Sequence, residues 1–128
     1  MEKYSSILLK FSAAFGLIGA FLGSHMAGAG SLAFRPIHAH ILVVGWLSLF
    51  AWAVYYKVFS PNRPLLARLH VWTAIIGSLG LTIGMWLYYF KPLGLPDAVV
   101  LIFYIAGGST LLLSFLFFFL LAMMQKDV

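Results

Sequence analysis

The sequence contains no cysteine and only three acidic residues, Glu2, Asp97 and Asp127. The first absence excludes disulfides, thiolate metal sites and covalent c-type haem attachment. The second leaves the long apolar stretches without an internal carboxylate, so a carboxylate proton relay inside a membrane is excluded. Asp97 falls at an expected helix start, where its charge suits the helix dipole. Charged residues of both signs make up only 9% of the 128 residues.

What the chain has instead is apolar surface. Hydrophobic residues are 63% of the total, more than a soluble domain of this length could bury. A membrane-spanning helix needs about 20 predominantly apolar residues. Four such runs fit: Ser6 to Ala29, Pro36 to Phe59, Leu65 to Phe90 and Pro96 to Met124. They fill nearly the whole chain, so the expectation is a single four-helix transmembrane domain over residues 1–128, all-α. The small residues of "MAGAGS" offer a cleavage-like site. The length of the first run and the three spans after it favour retention.

The connections "AGAGSLAFRP", "FSPNRP" and "KPLGLPD" are short and carry helix-stopping proline, asparagine and glycine. Short connections make consecutive helices antiparallel neighbours, an up-and-down arrangement. The net charge of +5 is not a nucleic-acid footprint, because the few charges sit at helix ends. Lys3, Lys10, Lys57, Arg63, Arg68 and Lys126 gather at one end of the spans; Arg35 and Lys91 lie at the other. That bias predicts a multi-pass inner-membrane protein with both termini and the middle loop cytoplasmic. Gly19 with Gly23, and Gly80 with Gly84, form two GxxxG pairs, which predict close helix contacts within or between subunits. The last run has no polar residue between Ser114 and Met124 and is expected to face lipid.

Four histidines hold most of the metal-binding chemistry. His38 and His40 in "FRPIHAHILVVGW" are two residues apart. At roughly 100° per residue they point about 200° apart, so a regular helix cannot bring both to one ion. The spacing suits a helix that stands between two sites and gives one imidazole to each. It also suits two interfacial histidines bonded to water and head groups. His25 and Met26 lie at similar depth, and with the pair they form an imidazole and thioether set of the kind copper takes. His70 belongs near the opposite end of the third span. It reads as a buried histidine bonded to a neighbouring helix, on the order of 20 Å from the pair.

"HAHILVVGW" resembles the H-x-H segment of the tenth helix in haem–copper oxidase subunit I, above all the cbb-type oxidases and nitric oxide reductases, with Gly45 and Trp46 five and six residues after His40. "LHVWTAIIGSLGLTIGMW" resembles the next helix of those subunits, and "FRPIH" resembles the R-P-x-H that opens their second helix. The resemblance covers about Arg35 to Tyr89. It implies one arc of a twelve-helix, three-arc architecture, and hence a homotrimer of this chain. In the family the two histidines of the tenth helix serve different haems. The implied site is a b haem held by His38 of one subunit and His40 of the next, with Arg35 at the propionates, Gly45 admitting the macrocycle and Trp46 beside it. The family's copper-centre ligands have no counterpart here, and two axial imidazoles leave iron no open position, so the oxidase activity does not carry over. The resulting expectation is a membrane cytochrome for electron transfer or haem holding, which implies a redox partner, protein or quinol. The alternatives are a copper-handling or oxidase-assembly protein and a haem-based gas sensor.

Overall fold

The structure is a computed structural model and describes residues 1–126. Four helices are long and apolar enough to cross a membrane: α1 (Glu2–Ala29), α2 (Arg35–Phe59), α3 (Pro64–Phe90) and α4 (Asp97–Met123). Their bounds lie within a few residues of those expected, because the turn residues act where they stand. Gly30 closes α1 in the left-handed conformation at φ 63°, its N–H donating to the Met26 carbonyl. Pro64 occupies the first position of α3, where the missing N–H has no partner to lose. No strand occurs among the described residues.

The helices alternate in direction. Lys57 near the end of α2 pairs with Glu2 at the start of α1 at 2.7 Å, and the Tyr55 hydroxyl donates to Gln125 Oε1 beyond α4 at 3.3 Å. The start of α1, the end of α2 and the end of α4 therefore share one end of the bundle. At the other end Lys91 pairs with Asp97 at 3.0 Å. Asp97 thus serves as a partner for Lys91. The residue before it, Pro96, occupies the N-cap position, and no side chain caps the helix. Both pairs are exposed and contribute little to stability.

Both GxxxG pairs lie on contacts within the chain. Gly19 and Gly23 on α1 receive Leu42 and His38 of α2. Gly80 and Gly84 on α3 face the backbone of Gly107 and Tyr104 on α4. With Gly77 set against the Leu111 backbone, the last two helices approach almost main chain to main chain, as lipid-embedded helices do when small residues permit it. The α4 face carrying Gly107, Leu111, Ser114 and Leu121 is buried. Its other faces expose Leu112, Phe115, Leu116, Phe119 and Met123, so part of the helix is buried within the chain and part faces outward.

From Ile41 to Ser48 the second helix winds as a π-helix, with regular α-helix on either side at Arg35–His40 and Leu49–Phe59. A π turn bonds five residues back instead of four and occurs often at functional sites. Hydroxyls meet carbonyls of this segment: Ser12 of α1 donates to Trp46 O at 2.9 Å, and Ser48 donates to Val43 O at 2.8 Å. Gly45 lies inside it with Phe15 pressed on its Cα.

Candidate functional site

His38 and His40 both belong to the short α-helical start of α2, Arg35–His40, immediately before the π segment. His38 is half-buried and turned toward α1. Its Nδ1 lies 2.8 Å from the Gly19 carbonyl, and its Cε1 fills the space where a Cβ on Gly23 would stand. His40 is exposed on the outer side of the helix, its Nδ1 2.8 Å from the Pro36 carbonyl one turn back.

The two hydrogen bonds decide the chemistry of the rings. A carbonyl oxygen can only accept, so each Nδ1 carries the proton and donates. In the neutral form of such a ring the lone pair resides on Nε2. This is the arrangement that metal-ligating histidines commonly use: one nitrogen anchored to a backbone carbonyl, the other free to coordinate. Neither of these Nε2 atoms is among the buried unpartnered atoms, which are His70 Nε2 and Ser78 Oγ.

Around the pair, Arg35 is exposed at the first turn of α2. The ion pairs among the described residues do not include it. Trp46 lies one to two turns further on and is 47% exposed. Its indole covers Gly16 of α1, where a Cβ would come within 2.8 Å of Cδ1. Gly45 is buried, and Phe15 occupies the space beside it; that space is taken up within the chain itself. His25 is exposed near the end of α1 and meets Phe34 edge to face at 5.9 Å.

His70 is a separate structure. It is fully buried, with Nδ1 2.8 Å from the Tyr56 hydroxyl of α2 and the ring against Trp52 at 4.7 Å and Phe118 at 5.5 Å. Tyr56 comes 16 residues after His40, which at 1.5 Å per residue is on the order of 20 Å along the helix. The histidine bonds to a neighbouring helix as its position suggested, and it does not join the outer histidines.

Sequence reasoning missed Ser12, Phe15 and Tyr56. Ser12 and Phe15 were within reach of a helical-face argument: with Leu8 and Gly19 they form the buried stripe of α1 at spacings of three and four. Tyr56 had no comparable signal, because tyrosine near a membrane interface usually serves the lipid boundary.

Among the described residues, no three His, Cys, Asp or Glu side chains converge to hold an ion. Haem iron differs, since the porphyrin supplies four donors and the protein two. No family model, curated protein or solved structure matches the chain.

Proposed function

We propose that the chain is a membrane cytochrome of the b type, with His38 of one subunit and His40 of another as axial ligands to each haem in a homotrimer. The observation that carries this reading is the state of the two rings: both Nδ1–H groups are committed to carbonyls, both Nε2 atoms keep their lone pairs, and the rings leave the helix on different sides. When bound, b haem supplies a reversible one-electron couple at iron. The chain's own residues do the rest. The Gly19 and Pro36 carbonyls orient the imidazoles and raise their basicity. Arg35, at the level of the pair, supplies a cation for carboxylates. Trp46 and the apolar helix faces exclude water, which is a lever on the potential. Gly45 is assigned no haem contact, since Phe15 lies against it. Two axial imidazoles favour electron transfer or haem holding over oxygen reduction.

The test is a visible spectrum of the purified protein with metal analysis. Sharp α and β bands on reduction, with iron present, are expected; a colourless protein overturns the reading. His25→Ala and His70→Ala are expected to keep those bands. His70→Ala should lower stability by about 2–4 kcal/mol, because it opens a cavity beside Trp52 and removes the shorter of the two hydrogen bonds of the Tyr56 hydroxyl, leaving the Ala67 carbonyl at 3.3 Å. Loss of the low-spin spectrum in either variant, with helicity intact, would make that histidine a ligand. The charge bias supports an inner-membrane location with both termini cytoplasmic. Reporter fusions to both ends should be active only on the cytoplasmic side.

A further inference from the structure

At the cation-rich end of the bundle, α1 and α3 part around a cleft of about 560 Å³ lined by Lys3, Tyr4, Ile7, Pro64, Arg68 and Trp72, among others. Pro64, Arg68 and Trp72 are four apart and so form one stripe on α3. We propose that this cleft binds an anionic diacyl phospholipid, with its phosphate between Lys3 and Arg68.

Two levels of the cleft match two levels of such a molecule. At the mouth, Lys3 and Arg68 are both exposed. The ion pairs among the described residues, Lys57–Glu2 and Lys91–Asp97, involve neither of them. Two cations facing one space without an acid between them call for an anion. One turn deeper, about 6 Å along α3, Trp72 is 45% exposed. Its ring suits the membrane–water boundary, where an indole N–H can meet an ester carbonyl. On α1, one turn below Lys3 and so at about the depth of Trp72, Ile7 adds an apolar wall. A free phosphate uses only the first level, whereas a phospholipid uses both. Basic pockets between helices on the cytoplasmic side are where anionic head groups bind. The inference rests on the four helices spanning a membrane and not on haem.

The experiment titrates the purified protein in mild detergent with phosphatidylglycerol or with phosphatidylcholine of the same acyl chains, reading bound lipid by native mass spectrometry. Phosphatidylglycerol should bind at least tenfold more tightly. Lys3→Gln and Arg68→Gln should each lower that preference about fivefold, and together they should abolish it. Arg68→Lys should retain it. Lys10→Gln, a cation at the same end but outside the cleft, should also retain it. Circular dichroism verifies that the exposed substitutions leave the helices in place. Equal binding of the two lipids overturns the proposal, as does a loss in Lys10→Gln as large as that of the double variant. Displacement of the lipid by an equal concentration of inorganic phosphate would also overturn it, in favour of a small-anion site.

Discussion

His38→Ala and His40→Ala should each abolish the low-spin haem spectrum, and mixing the two variants during assembly should bring part of it back. In a cyclic head-to-tail trimer every site uses His38 of one subunit and His40 of its neighbour, so either substitution removes one ligand from all sites. In a mixed trimer of either composition the cyclic order leaves one intact pair among three. Random mixing therefore restores about a quarter of all sites. If both ligands came from one subunit, mixing would restore nothing. His38→Ala should also shift α1, since the ring bonds Gly19 and fills the space over Gly23; His40→Ala removes only a bond within its own helix turn. Equal spectral loss with unequal loss of stability is thus expected. Oligomeric state should depend on haem, because a ligand that bridges two chains stabilises the assembled state by linkage. A haem-loaded monomer, or co-assembled mixtures that stay high-spin, would end the shared-site model.

The second large effect falls on two adjacent glycines. Gly107→Ala should destabilise the bundle by about 1–3 kcal/mol or more, whereas Gly108→Ala should be neutral or slightly stabilising. A Cβ on Gly107 would stand 2.3 Å from the Gly80 carbonyl carbon and 2.6 Å from both Gly80 O and Leu81 N, all main-chain atoms that cannot swing aside. A Cβ on Gly108 would meet only Leu81 Cδ1, at an ordinary 3.6 Å. Thermal unfolding in detergent, followed by helical circular dichroism, reads the difference. Equal shifts for the two variants would show that α3 and α4 are not in main-chain contact along this line.

The spans were legible because hydropathy and turn chemistry act locally. Pro64, Gly30 and the lysines at the helix ends mark boundaries whatever the rest of the chain does. GxxxG pairs were legible as contacts but not as partners, since the pattern says that backbones approach and not which ones. Gly19 could be paired with Leu42 only in three dimensions. At the histidines, the opposite-facing geometry followed from helical periodicity, because both residues lie before the change in winding. The tautomers did not follow. They depend on carbonyls at Gly19, in another helix, and at Pro36, whose acceptor role is set by the ring rotamer. The π segment was hidden for a different reason. Its residues, Ile-Leu-Val-Val-Gly-Trp-Leu-Ser, are uniformly apolar up to the last, so no alternation between two faces reveals how many residues make a turn. The place given to Gly45 followed from the resemblance, and its contact with Phe15 of α1 is a tertiary one that no local pattern marks.

That wider coil also gives α2 a tolerance in length. A turn bonded five back holds one residue more than a turn bonded four back. Loss of one residue between Val43 and Gly45 can therefore be absorbed by a return to ordinary winding, with His38 still toward Gly23 and Trp52 still toward His70. The same loss within Leu49–Phe59 has no slack to draw on. It would turn everything beyond it by about 100°, carrying Tyr56 away from His70 and Lys57 away from Glu2. Two deletions a few residues apart in one helix would thus have opposite fates, and α2 can be shortened by one residue in its π segment without disturbing the aromatic end.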